Sequence, residues 1–350
     1  MAPVIEEFHK HRDQVESVIC ITAQHRQMLD QVLSLFNIRP DIDLNLMQED
    51  QTLASLTANT ITGLTEAFTR IKPDIVLVQG DTTTAMVASL ASFYQRIPVG
   101  HVEAGLRTHD RYSPFPEEIN RRLISVLAIY NFAPTQTAVD ALLAEGSPRE
   151  RVFLTGNTIV DALLRTVGSD HRLDLGFSLD NSKPILVTAH RRENFGQPLE
   201  NICLALRTIA EHNPEVEIVY PVHLNPNVRK PVHRMLSGQE RIHLIDPMEY
   251  EAFAHLLNAS YLVLTDSGGI QEEAPILGKP VLVMRRETER PEAVNAGVAK
   301  VVGTNAETII AETEVLLHNP EAYDRMSKAV SPYGDGHAAE RIVKVILEEI

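Results

Sequence analysis

Ionisable residues gather wherever a short apolar run of this chain stops. Asp81 follows the run at 74–78, Glu103 follows the run at 98–102, and Glu117 opens a periodic segment after Pro114-Phe115-Pro116. In the second half His190, Arg191, Arg192 and Glu193 follow the run at 184–188, and His223 follows 217–221. Asp266 and Ser267 follow 261–265, and Arg285 and Arg286 follow 280–284. Carboxylates without a Cys/His cluster suit proton transfer better than metal-assisted hydrolysis. Arginines, a histidine and a glycine-rich helix start suit a diphosphate. There is no GxxxxGK[ST] segment, which argues against ATP-type phosphoryl transfer. The combination points to a nucleotide-sugar enzyme working by acid–base chemistry.

Most of these residues also have a plainer explanation. Ser267-Gly268-Gly269 lies between the apolar run 261–264 and a periodic segment carrying Ile270, Ala274 and Leu277. Ser267 can cap that helix, and the two glycines leave its first amides open to an anion. The same residues would also serve as a strand–helix turn with no ligand. Asp81 could cap a helix beginning at Thr82, and Glu117 could be a first-turn partner of the helix dipole. His190 could be a satisfied buried imidazole, and Arg191 with Arg192 a solvated pair. Glu103 is harder to explain this way. Its Val-Glu-Ala-Gly setting is apolar, so its carboxylate needs a partner or a raised pKa.

The elements that would hold these residues alternate along the chain. Apolar runs at 15–22, 74–78, 98–102, 130–133 and 152–154 read as strands. Periodic segments at 2–12, 25–36, 53–71, 82–94, 117–129 and 135–145 read as helices. The pattern weakens between about 165 and 183, where the linker is expected. Strands then resume at 184–188, 217–221, 242–245, 261–265 and 280–284. Helices are expected at 199–212, 226–236, 250–257, 269–277, 307–317 and 338–350. Alternation of this kind calls for parallel sheets covered on both faces, so the fold class is α/β with two Rossmann-like doubly wound domains. Ligands of such sheets bind at the carboxyl ends of the strands, here expected in the cleft between the domains.

Bulk properties agree with this reading. A chain of 350 residues with 44% apolar content can build two cores. Its net charge of −15, without a basic cluster, argues against nucleic acid or an anionic membrane as partner. No apolar run reaches the ~20 residues of a membrane span. Cys20 and Cys203 lie far apart in apolar runs, as reduced thiols of a cytoplasmic protein would.

Eight segments resemble, in order, the non-hydrolysing bacterial UDP-N-acetylglucosamine 2-epimerases. They are Gln79-Gly80-Asp81-Thr82-Thr83-Thr84, His101-Val102-Glu103-Ala104-Gly105-Leu106-Arg107-Thr108, Pro116-Glu117-Glu118-Ile119-Asn120-Arg121 and Ala189-His190-Arg191-Arg192-Glu193-Asn194 in the first part of the series. Pro221-Val222-His223-Leu224-Asn225-Pro226, Asp266-Ser267-Gly268-Gly269-Ile270-Gln271-Glu272-Glu273, Arg286-Glu287-Thr288-Glu289-Arg290-Pro291-Glu292 and Pro332-Tyr333-Gly334-Asp335-Gly336 complete it. The resemblance spans essentially the whole chain. It implies a GT-B-like fold, with residues 1–168 carrying the catalytic carboxylates, 169–331 binding UDP, and 332–350 returning as a helix to the first domain. It also implies interconversion of UDP-GlcNAc and UDP-ManNAc with no metal or other cofactor, by elimination of UDP to a 2-acetamidoglucal and re-addition, in a homodimer. Asp81, Glu103 and Glu117 match the catalytic carboxylates and His190 the active-site histidine. Ser267, Gly268 and Gly269 match the phosphate turn, Glu273 the acid on the ribose, Phe253 a position near the uracil, and Arg290 a cationic position near the nucleotide. Gln24, Gln27, Arg191 and His223 resemble the residues that hold a second, activating UDP-GlcNAc.

Two departures accompany the match. Asp50 stands before Gln51-Thr52-Leu53 where some members have arginine. The chain also begins at Met1-Ala2-Pro3-Val4, inside a motif that the family precedes with a strand and a Gly-Thr-Arg-Pro-Glu loop. That strand would be central in the first sheet, so exposed strand edges are expected. The start is then either an internal methionine or a genuine shortening. The alternatives to epimerisation are a hydrolysing relative that releases ManNAc and UDP, and an inactive UDP-sugar binder.

Overall fold

The computed structural model describes residues 1–22, 26–46, 51–171 and 173–349, with side chains at 26–28 left aside. It divides into two compact units, Met1–Ala162 with Tyr333–Ile350, and Leu163–Pro332.

The first unit runs α1 (Ala2–His9), β1 (Cys20–Ile21), α2 (Arg26–Leu35), β2 (Ile42–Asp43), α3 (Leu53–Ile71), β3 (Val76–Gln79), α4 (Thr83–Tyr94), β4 (Val99–Val102), α5 (Glu117–Leu127), β5 (Tyr130–Ala133), α6 (Gln136–Ala144) and β6 (Val152–Leu154). Then α7 (Thr158–Val167) carries the chain across the division between units. Among the described residues the strands form two parallel sheets, β1-β2 and β3-β4-β5-β6. Of the strand expected over 15–22, the described residues pair Cys20 with Ile42 and Ile21 with Asp43, and the Ile19 and Thr22 carbonyls accept the N–H groups of Ile42 and Leu46. Every residue of β4 and β5 is buried, as strands covered on both faces should be. Thr52, Thr82 and Thr135 cap α3, α4 and α6, each hydroxyl accepting a backbone N–H three residues on.

The second unit holds β7 (Lys183–Thr188), α8 (Gln197–His212), β8 (Val216–Pro221), α9 (Pro226–Leu236), β9 (Ile242–Ile245), α10 (Tyr250–Ala259), β10 (Leu262–Thr265), α11 (Gly268–Ile276), β11 (Val281–Val283), α12 (Pro291–Asn295), β12 (Ala299–Val301), α13 (Ala306–His318) and α14 (Pro320–Ser327). After it α15 (Ala338–Glu349) belongs to the first unit, where Ile342, Val343 and Ile346 pack with Val4, Phe8 and Phe132. Asp161 caps it by accepting the Ala338 and Ala339 N–H groups, at 3.3 and 2.8 Å.

The six-stranded parallel sheet of this unit has the order β12-β11-β10-β7-β8-β9. Counted within the unit, the first strand lies beside the fourth, which is the doubly wound arrangement. The connections leaving β7 and β10 pass to opposite faces, so a crevice opens between their carboxyl ends. Leu262, Val263 and Leu264 of β10 are fully buried, each worth roughly 1.5–3 kcal/mol of transfer free energy. The turns after β7 and β10 therefore stand on a rigid floor.

Candidate active site

In the first unit two acids follow the carboxyl ends of adjacent strands, and a third opens the helix that comes after them. Asp81 follows β3, Glu103 follows β4, and Glu117 opens α5. Asp81 does not cap α4, because Thr82 does so, with Oγ1 accepting the Ala85 N–H at 3.2 Å. The Asp81 carboxylate instead pairs with Arg121 Nη2 at 2.5 Å, and its backbone carbonyl accepts from Asn120 Nδ2 at 2.9 Å. Glu103 holds a left-handed backbone, φ 64°, a conformation that costs a non-glycine residue about a kcal/mol or more. Its Oε2 accepts from Gln79 Nε2 at 3.4 Å, which supplies the partner its apolar setting requires. Glu117 lies in the first turn of α5, and its Oε2 is buried without a hydrogen-bond partner. A carboxylate oxygen in that state is available to a proton on a bound molecule.

A second layer holds these acids in place. Glu118, fully buried, accepts the N–H groups of Thr108 and His109 at 3.0 and 3.3 Å and stands 3.5 Å from Arg121 Nη1. His101 Nε2 is 2.8 Å from the Gly80 carbonyl, so Nε2 carries the hydrogen and donates it. Burial pulls the His101 pKa down to about 4, so the ring is neutral at physiological pH. Sequence reasoning did not single out Glu118, Asn120, Arg121 or His101. Glu118 and Arg121, three apart on an amphipathic helix and facing inward, were the available signal.

In the second unit α11 starts at Gly268, directly after β10. Ser267 occupies the N-cap position, but its hydroxyl makes no cap hydrogen bond, which corrects the expectation that it would. The Ser267 N–H donates to Thr265 Oγ1 at 2.9 Å, and the N-cap side chain accepts none of the first-turn amides. A Cβ added to Gly268 would stand 3.6 Å from Arg191 Nη2 and 4.0 Å from Arg290 Nη2, so two guanidinium groups flank the helix start. Glu289 is close as well, but Arg285 neutralises it at 3.2 Å while also binding Glu193 Oε1 at 2.5 Å. Open amides, a helix dipole and two guanidiniums make an anion cradle. Arg290 is itself oriented by an ion pair with Glu272.

One turn further along α11, Glu273 is only 8% exposed, and burial followed by the charge of Glu272 raises its pKa to about 7. Tyr250 Oη is buried without a partner, and the Glu273 charge reaches it, so α10 and α11 bring a buried hydroxyl and a buried carboxyl near one another. Phe253, partly buried, lies on the same helix as Tyr250. His190 stacks on His223 with ring centroids 5.5 Å apart. His223 Nδ1 accepts the Asn225 N–H, and Arg191 Nε is buried without a partner. Gln24 and Asp50 lie outside the described residues, and of Gln27 only the backbone, in α2, is described.

A family profile described as UDP-N-acetylglucosamine 2-epimerase matches residues 7–347. The UDP-N-acetylglucosamine 2-epimerase of Salmonella typhimurium LT2 is 54% identical over 355 residues, 99% of this chain and 94% of that protein. The enzyme of that name from Escherichia coli K12 is also 54% identical, with the same coverage. The crystal structure of UDP-GlcNAc 2-epimerase from Neisseria meningitidis bound to UDP-GlcNAc is 52% identical. It covers 100% of this chain and 96% of that one, with a TM-score of 0.89. The parallel α/β architecture is the GT-B-like one of these neighbours.

Proposed function

The chain belongs to the UDP-N-acetylglucosamine 2-epimerase family, and on that premise we propose that it interconverts UDP-GlcNAc and UDP-ManNAc by inverting C2. The observation that carries this reading is the pair of carboxylates after the neighbouring strands β3 and β4 with a third at the start of α5, in a chain that matches enzymes of that name over 99% of its length.

The C2 proton of the sugar has no adjacent carbonyl to acidify it. Its removal must therefore accompany loss of the anomeric oxygen. A carboxylate takes the C2 proton, the C2–H pair becomes the C1=C2 bond of a 2-acetamidoglucal, and the C1–O pair leaves with UDP. Return of a proton to the other face of C2 and of the UDP oxygen to C1 completes the inversion. We assign proton transfer to Asp81, Glu103 and Glu117, and stabilisation of the departing diphosphate to the α11 amides at Ser267, Gly268 and Gly269, with Arg290 and His190. Glu273 takes the ribose hydroxyls and Phe253 the uracil. An activating UDP-GlcNAc is assigned to Arg191 and His223, and by the resemblance of the sequence to Gln24 and Gln27 as well. The setting is cytoplasmic, in keeping with free thiols at Cys20 and Cys203.

Incubation with UDP-GlcNAc in D2O, followed by proton NMR, tests the reaction. The expected product is UDP-ManNAc carrying deuterium at C2. Free ManNAc with UDP would replace this reading with hydrolysis, and no turnover with measurable UDP binding would replace it with a binder.

The protein is further proposed to act as a homodimer. Support comes from Phe93 and Tyr94 at the end of α4, and Leu123 and Val126 on the adjacent α5, all exposed, with Val126 at 83%. Sedimentation equilibrium should return twice the chain mass of 39.0 kDa, and that association should be lost in Val126→Glu. A monomer in the unmodified protein would remove the assignment.

A further inference from the structure

We propose that Asp266 is a positioning residue whose buried carboxylate holds the 190–194 turn and directs the His190 imidazole. The proposal rests on the assignment of His190 to the reaction made above.

Asp266 is fully buried at the end of β10, beside the end of β7 in the sheet. Its Oδ2 accepts the backbone N–H of His190 at 2.9 Å, that of Arg191 at 2.8 Å, and Asn194 Nδ2 at 2.9 Å. Its Oδ1 stands 3.1 Å from the His190 N–H and 3.6 Å from His190 Nδ1. Asn194 gives its amide to the Met284 carbonyl as well, at 3.1 Å, which ties the turn to the end of β11. A buried carboxylate is costly unless saturated by donors, and this one is saturated by the turn that carries the histidine. The sheet order explains why. β7 and β10 are neighbours whose chains diverge at their carboxyl ends, so a short acidic side chain from one can span the gap to the other.

A merely structural tether would end at the backbone amides. Here the second oxygen also faces the imidazole, so the carboxylate acts on His190 in two ways. It fixes the ring's approach through the backbone, and it favours the imidazolium. Three charged or titratable groups act on this ring. Burial lowers the His190 pKa, Asp266 opposes that, and His223 with Arg191 adds to the lowering. Removing the Asp266 charge leaves only the lowering influences.

The test is a titration of His190 in the full-length protein labelled at histidine Cε1, over about pH 5 to 8. The His190 signal is assigned by its loss in His190→Gln. In Asp266→Asn the His190 midpoint should fall by about one unit. Turnover should fall about tenfold or more, while UDP affinity stays within about threefold. An unchanged midpoint overturns the proposal, as does a fallen midpoint with unchanged turnover. Should Asp266→Asn fail to fold, Asn194→Ala removes one donor and keeps the charge. The freer carboxylate should then raise the His190 midpoint, and an unchanged one again overturns the proposal. If the unmodified protein shows no epimerisation, the functional reading fails, while the titration still reports on Asp266 alone.

Discussion

Glu117→Gln is expected to lower turnover by roughly 10²–10⁴-fold, the usual contribution of a positioned general base. UDP affinity should stay within a few-fold. Glutamine fills the same volume, so the first turn of α5 and its packing should survive. What is lost is the acceptor at Oε2, which is buried and unpaired and therefore has no structural bond to break. The scaffold around it is independent of the substitution, since Glu118, Asn120 and Arg121 hold the Thr108–His109 backbone and Asp81 through their own side chains. Steady-state kinetics and calorimetry of UDP binding measure the two halves of the prediction. A variant that turns over normally but has lost UDP affinity would show that Glu117 binds nucleotide instead of moving a proton.

Glu273→Gln is expected to make the unliganded protein more stable above neutral pH and a weaker binder of UDP. The sign follows from its raised pKa. In the unfolded chain Glu273 titrates near 4.5, and in the fold near 7, so between these values the folded protein binds the extra proton. Stability from this group therefore falls as pH rises through that window. Below it both states are protonated and nothing is lost. Above it the full penalty for a buried charge applies, about 3 kcal/mol as an upper bound. Glutamine removes the penalty, so the stability advantage of Glu273→Gln should be absent near pH 4 and reach its plateau near pH 8. Affinity for UDP should drop about 10- to 100-fold through loss of charge-assisted hydrogen bonds to the ribose. Chemical denaturation at a series of pH values gives the first result and calorimetry the second. Parallel stability curves for the two proteins would refute the buried-charge account. Unchanged UDP affinity would remove the ribose assignment.

The sequence made the main elements legible where one periodicity dominates. The helix expected at 53–71 and the strands at 130–133 and 152–154 match α3, β5 and β6 end to end. Parallel strands are continuous apolar runs, and long helices repeat their apolar face every third or fourth residue, so each signal is local. Elements without such a signal were missed. β2 has two residues and β12 three, and α12 is a single turn and a half. α7 is not among the expected helices, although Ile159, Leu163 and Thr166 repeat at helical spacing.

The candidate site divides in the same way. That acids stop the strands of the first half, and that basic residues and a Ser-Gly-Gly turn stop those of the second, can be read from the chain alone. Each residue type and each strand end is local information. The roles of Arg121, Asn120 and Asp266 could not be read there. Arg121 is 40 residues from the Asp81 it pairs with, and Asp266 is 76 residues from the His190 N–H it accepts. Such contacts exist only once neighbouring strands have brought their ends together. The tertiary structure also decided that the Ser267 hydroxyl does not cap its helix, while the Ser267 N–H donates to Thr265 Oγ1. Sequence alone thus determined which chemical groups this protein brings to its strand ends. Only the fold decided which of them are held in place by another, because a hydrogen bond depends on distance in space and not on separation along the chain.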